Sequence, residues 1–218
     1  MRRPRRKTAR QSLDPSCVPP YPARGIARGR NVAMRVVAGR VKGHTLQAPK
    51  GMETRPTSDK VREALFSMLA GDVVDQRVLD LFAGTGALGI EALSRGAAEA
   101  VFVERRAAAC QVIRANLRHT RLEDESRVLC MPVERALTVV EGTFGVIFLD
   151  PPYAYPGIGG IMSMIGAGAV LADDSLVVLE HTPRFTVAER YERLTLERQK
   201  MYGDTALSFF VVQEDKNA

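Results

Sequence analysis

From Arg35 onwards, apolar positions alternate between short extended runs and helical spacings. "RVVAGRVKGHTLQAP" holds two β-like runs around "GRVKG" and predicts a hairpin that presents Arg35, Arg40, Lys42 and Lys50 on its surface. "RPTSDKVREALFSML" sets Val61, Ala64, Leu65, Met68 and Leu69 on one helical face, with Thr57 or Ser58 as the cap and Asp59 in the first turn. Strand-like "RVLDLF", "EAVFVE", "RVLCM", "FGVIFLD" and "SLVVLEH" then alternate with helical "ALGIEALSRG" (ended by Gly96), "RRAAACQVIRANLRHT", "VERALTVV" and "IGGIMSMIGA". That alternation predicts an α/β fold, a parallel sheet covered by helices on both faces. The last stretch, "RYERLTLERQKMYGDTALSFFVVQE", reads as two extended runs joined by a Gly-Asp turn, an antiparallel hairpin. The chain carries no internal repeat.

Composition adds limits. At 218 residues and 45% hydrophobic, the chain can bury a full core, and one domain with an appendage is expected. Its net charge of +6 is unevenly spread: residues 1–33 hold nine Lys+Arg against one acid, Asp14, leaving −2 for the rest. Five prolines and few large aliphatic residues make that segment a disordered basic tail by composition. It reads as a nucleic-acid-binding arm or, the preferred reading, as an extension upstream of a start at Met34. A transit peptide is disfavoured by the prolines. Cys17, Cys110 and Cys130 have neither CxxC nor zinc spacing, which fits a reducing compartment. No apolar run approaches the roughly 18 residues of a membrane span. The expectation is a cytoplasmic protein away from membranes and, with no spare apolar helix in the body, a monomer.

Two motifs carry chemistry. In "VLDLFAGTGALGIEAL", Gly84, Gly86 and Gly89 satisfy G-x-G-x-x-G between a strand and a helix, where glycine lets the backbone approach a ligand. Glu104 lies 20 residues after Gly84, where an acid binds ribose hydroxyls. Alone this also suits a nicotinamide enzyme. Asp80, four residues before Gly84, would repel a pyrophosphate and welcome an ammonium. S-adenosylmethionine has a ribose, an adenine and an amino-acid end without phosphate, so the turn from Ala83 through Thr85 to Gly86, with Asp80 and Glu104, is assigned to that cofactor. The second motif is "DPPY". A base amino group is a poor nucleophile because its lone pair is delocalised into the ring. Asp150 and the Pro151 carbonyl can accept its two N–H bonds, while Pro151 and Pro152 fix the backbone that aims them. Tyr153 offers a face for stacking, worth roughly 1–3 kcal/mol. The alternative for "DPPY" is a proline-rich turn that merely ends a strand.

With these motifs in order, and with "VVLEH" and "YGDTALSFF" after them, the chain resembles the bacterial 16S rRNA guanine-N2 methyltransferases from Met34 to about Val212. "DPPY" alone is shared with DNA amino-methyltransferases; "RPTSDKVREALF" and "YGDT" narrow the resemblance. It implies a Rossmann-like, seven-stranded methyltransferase sheet whose last strand is antiparallel, over residues 57–218, preceded by a hairpin extension over 34–56 and the tail over 1–33. It also implies methyl transfer to one guanine N2 of 16S rRNA, within an assembling small subunit. Such enzymes usually carry Asp or Asn, then Ala, beside the adenine; Pro132 and Val133 stand there instead, leaving the Val133 backbone and Glu134 as adenine candidates.

Arg35, Arg40, Lys42, Arg55 and Thr57 are candidates, with Tyr153, for contacting the RNA; for Arg55 and Thr57 a solvated arginine and a helix cap are equally good readings. His181 is assigned a structural role, His44 and His119 surface positions, and Met162 and Met164 packing. No metal is expected. The rival functions are a DNA amino-methyltransferase, for which no target-recognition insertion is long enough, a non-catalytic RNA-binding assembly factor, and a nicotinamide enzyme.

Overall fold

The residues described by the computed structural model, 34–48, 56–152 and 155–213, alternate helix and strand as the apolar pattern demands. In order they are α1 (Pro56–Leu69), β1 (Arg77–Leu81), α2 (Ala87–Ser94), β2 (Glu99–Glu104), α3 (Ala107–Thr120), β3 (Ser126–Cys130), α4 (Val133–Val139), β4 (Phe144–Leu149), α5 (Ile158–Ala167), β5 (Leu171–His181), β6 (Arg190–Tyr191), β7 (Leu194–Tyr202) and β8 (Thr205–Val212). They build one sheet in the order β3-β2-β1-β4-β5-β8-β7-β6. The first five strands are parallel, and β8 enters antiparallel between β5 and β7.

Successive residues of the central strands serve two cores. Val78, Phe102, Val146 and Phe148 face one layer, with Leu65 of α1, Ile90 of α2 and Ile113 of α3. Leu79, Val101, Val103 and Ile147 face the other, with Ala136 of α4 and Met162 of α5. Burial on both faces is why these strands read as nearly continuous apolar runs. On α1, Val61, Leu65 and Leu69 are buried as the spacing predicts, and Phe66 joins them against Phe148. Helix α2 stops as Gly96 takes φ 106, its N–H donating to Leu93 while the Ala97 N–H reaches back to Ala92. Of the two methionines read as packing, Met162 is buried and Met164 is exposed.

Three expectations are corrected. The sheet has eight strands, not seven: Glu192 adopts φ 55, folding "RYERL" into a tight turn that pairs β6 with β7. Helix α1 begins at Pro56, so Thr57 and Ser58 fall inside its first turn instead of capping it; proline suits a first helical position because its missing N–H would be unpaired there anyway. The N-terminal hairpin shrinks to one antiparallel bridge, Arg35 with Thr45. The Val36, Gly43 and Leu46 N–H groups still close it onto the His44, Val36 and Met34 carbonyls. The intervening donors turn outward: the Val37 and Ala38 N–H groups bind the two carboxylate oxygens of Glu91, at 2.7 and 3.0 Å, and the Val41 N–H binds Ser94 Oγ. Among the described residues no helix is long and apolar enough to cross a membrane. The basic tail, Lys50, Arg55 and Tyr153 lie outside the described residues.

Candidate active site

Because β2, β1 and β4 are neighbours, the acids at their C-terminal ends meet. Asp80, on β1, is 1% exposed, and its Oδ2 accepts the Gly89 N–H at 3.0 Å. Burial pushes its carboxyl up to about 7; the Gly89 bond opposes this, and the charges of Asp150 and Glu104 add to it. Glu104, closing β2, is also buried: Oε2 accepts the Gly84 N–H at 3.1 Å, and Oε1 accepts the Arg106 N–H at 2.8 Å. Asp150 follows β4 directly and is exposed, with Pro151 half-buried and Pro152 exposed. The mutual repulsion written into Asp80 is what a cationic ligand would relieve.

The turn between β1 and α2 is shaped for close approach. Phe82, Gly84 and Gly86 take φ values of 63, 56 and 80. A phenylalanine there carries strain of about 1–3 kcal/mol, a cost that concentrates at ligand-binding loops. The Ala83 N–H ties the turn to the Val103 carbonyl on β2, and Ala83 and Thr85 are buried within it. A Cβ on Gly89 would sit 2.3 Å from the Phe102 ring, so the third glycine lets α2 lie close on the sheet. Asn116 of α3 binds the Thr85 carbonyl (2.9 Å) and both backbone groups of Gln47, fastening the N-terminal segment beside the turn.

Val133 opens α4 and is buried; Glu134, the other adenine candidate, accepts the Tyr155 hydroxyl. Tyr155 also sets its ring edge-on to Phe82, with centroids 5.0 Å apart, and its N–H donates to the Pro152 carbonyl at 2.8 Å. The structure places Arg40 and Lys42 beside the C-terminal end of α2, a helix length away from the glycine turn, where Arg40 pairs with Glu125. Arg35 is exposed, and its carbonyl accepts from Arg62. Thr57 lies in the first turn of α1.

His181 is buried. Nδ1–H donates to the Thr182 carbonyl, so Nε2 accepts from the Ser208 hydroxyl at 2.7 Å, and burial lowers its pKa. His44 and His119 meet edge-on at 5.4 Å. A cleft of about 660 Å3 between the end of α5 and β6 lies away from the acids. Its Arg193 is spent on the Gly166 and Gly168 carbonyls. Among the described residues no cluster of His, Cys, Asp and Glu could hold a metal.

Three residues went unread in the sequence. Glu91 and Arg62 look like solvated helix positions yet are buried, Arg62 donating to the Arg35 carbonyl and lying 3.9 Å from Glu91. Tyr155 had a trace, since Pro156 after it restricts its backbone.

The family model described as "Conserved hypothetical protein 95" matches residues 34–211. "Putative rRNA methyltransferase YlbH" of Bacillus subtilis is 39% identical over 81% of this chain and 98% of its own length. "Ribosomal RNA small subunit methyltransferase D" of Escherichia coli K12 is 33% identical over 81% and 89%. Among solved structures, "Putative methyltransferase yhhF from Escherichia coli" superposes with TM-score 0.72 at 34% identity, over 84% of this chain and all of that one. The Thermus thermophilus 16S rRNA N2 G1207 methyltransferase in complex with AdoMet and guanosine does so with TM-score 0.61 at 25% identity, over 75% and 45%. The donor set here suits that cofactor: buried acceptors around a glycine turn favour a ligand with hydroxyls and an ammonium and disfavour a pyrophosphate. The chain belongs to the "Conserved hypothetical protein 95" family, S-adenosylmethionine-dependent methyltransferases with a Rossmann-like sheet and antiparallel last strands.

Proposed function

We propose that this enzyme methylates the exocyclic N2 of one guanine in 16S rRNA, acting as a cytoplasmic monomer on an assembling small subunit. The observation that carries the reading is the meeting of Asp80, Glu104 and Asp150 at one end of the sheet, close enough for the charges of the last two to act on the first. Bound there, S-adenosylmethionine supplies an electrophilic methyl group. Glu104 receives the ribose hydroxyls and Asp80 the ammonium; Ala83, Gly84, Thr85 and Gly86 lie along the ligand, and the Val133 backbone borders the adenine. Asp150 and the Pro151 carbonyl accept hydrogen bonds from the two N2–H groups, returning electron density to nitrogen. As N2 takes the methyl group and S-adenosylhomocysteine departs, the Asp150 carboxylate offsets the charge that grows on N2, and one N2 proton is released to solvent. Pro152 stiffens the loop, and Tyr153 stacks on a base drawn out of its helix. Arg35, Arg40, Lys42, Arg55 and Thr57 approach the RNA backbone. The guanosine held by the Thermus thermophilus enzyme and the small-subunit name of the Escherichia coli relative support guanine and this RNA.

The test is transfer of labelled methyl groups to under-methylated small subunits. Asp150→Ala is expected to lose most turnover while keeping its melting temperature and most cofactor affinity. Tyr153→Ala should also fall, and Tyr153→Phe, which keeps the ring face, should lose far less. A fully active Asp150→Ala protein would reduce "DPPY" to a strand-ending turn.

A further inference from the structure

The loop after β4 is rich in proline. Pro151, Pro152 and Pro156 have no N–H to donate. The first backbone donor after the two prolines with a described partner is Tyr155, whose N–H closes a turn onto the Pro152 carbonyl. The prolines stiffen this segment from within but, lacking N–H groups, cannot tie it to its neighbours, so side-chain contacts are its means of attachment.

Tyr155 stands where three loops meet. Its hydroxyl donates to Glu134 in the first turn of α4, just beyond β3. Its ring rests edge-on against Phe82, the left-handed residue that starts the glycine turn after β1. Its own backbone belongs to the loop after β4. Pro156 restricts that backbone to extended conformations, so the side chain is aimed before any ligand arrives. Helix α4 is an independent anchor, held on the sheet by buried Val133 and Ala136.

We infer that Tyr155 is a positioning residue: through its hydroxyl on Glu134 and its ring on Phe82 it fastens the Asp150–Pro152 loop to the β3–α4 and β1–α2 turns, fixing the acceptors that face the target amino group. Glu134 is then the anchor of this latch and not the reader of the adenine. The inference rests on the function proposed above and adds the device that keeps its acceptors aimed. The latch holds a loop, not the ligand, so its loss lowers kcat and leaves cofactor affinity alone.

The experiment compares Tyr155→Phe, Glu134→Ala, Glu134→Gln and the Tyr155→Phe/Glu134→Ala double variant with the wild-type protein. Three readouts are taken: kcat on small subunits, S-adenosylhomocysteine affinity by calorimetry, and hydrogen exchange of the ligand-free proteins. Tyr155→Phe keeps the ring on Phe82 and should fold normally. Its kcat is expected to fall about tenfold, the scale of one charge-assisted hydrogen bond, with Kd unchanged within about twofold. Glu134→Ala should match it, Glu134→Gln should recover most of the loss by keeping an acceptor, and the double variant should be no worse than either single one. The Tyr155 amide should exchange faster in Tyr155→Phe and Glu134→Ala without ligand. Unchanged kcat and exchange, additive losses in the double variant, or a loss confined to Kd would overturn the latch. A wild-type protein that methylates no RNA would instead fail the proposed function, and the exchange data would still judge the latch.

Discussion

Replacing Asp80 with asparagine should make the ligand-free protein more stable at alkaline pH while weakening its hold on the cofactor. The folded carboxyl titrates at about 7 and the unfolded one at 3.8, so the native state binds the extra proton between those values. Stability from this group is therefore lost as pH rises from 3.8 to about 7 and stays lost above. At about 1.4 kcal/mol per pH unit, the cost approaches about 4 kcal/mol at pH 8 and is only about 1.5 kcal/mol at pH 5. Asparagine keeps an oxygen for the Gly89 N–H but buries an amide donor, at about 1–3 kcal/mol, a penalty that does not vary with pH. The difference in unfolding free energy, variant minus wild type, should thus rise by about 3 kcal/mol between pH 5 and pH 8. His181 contributes the opposite slope, because its lowered pKa makes the fold lose stability as pH falls below the ordinary 6.5, but it is common to both proteins and cancels in the difference. Urea unfolding at pH 5, 6.5 and 8 measures this. Calorimetry with S-adenosylhomocysteine should show wild-type affinity tightening through neutral pH, as the ligand ammonium draws the proton off Asp80, and no such trend in the variant. A stability difference that is flat with pH would refute the reasoning.

Other substitutions test neighbouring parts. Glu104→Ala should weaken S-adenosylhomocysteine by about 1.5–3 kcal/mol in calorimetry, the worth of hydrogen bonds to a charged group. It should also lower the melting temperature, because the Gly84 and Arg106 N–H groups lose their acceptor. Glu91→Ala removes the acceptor of two backbone donors and leaves the buried Arg62 beside a void, so it should cost about 3–5 kcal/mol and release the Val37 and Ala38 amides to fast hydrogen exchange. Gly89→Ala drives a methyl into the Phe102 ring and should lower both stability, by about 1–3 kcal/mol in urea unfolding, and cofactor affinity.

Much of this was legible beforehand where local pattern and tertiary need coincide. "IGGIMSMIGA" is α5 to the residue, because its apolar spacing and its burial against the sheet are the same fact. The acids of the site were legible because strand ends and a glycine turn announce which positions face a ligand. What stayed hidden depends on distant partners. Glu91 sits in "GIEALSRG" like any solvated helix residue, and only the return of residues 37–38 explains its burial. Tyr155 and Glu134 are 21 residues apart and share no spacing rule. The break in "RYERL" was missed because one left-handed Glu192, not a glycine or proline, makes the turn.

The most direct measurement is the methylated nucleosides of 16S rRNA from a strain lacking this gene, by nuclease digestion and mass spectrometry, with the gene absent, restored, and restored as Asp150→Ala. Loss of a single N2-methylguanosine, returned by the wild-type gene and not by Asp150→Ala, is the predicted result. An unchanged set of 16S nucleosides, or a methyl group missing from adenine or from DNA instead, would contradict it.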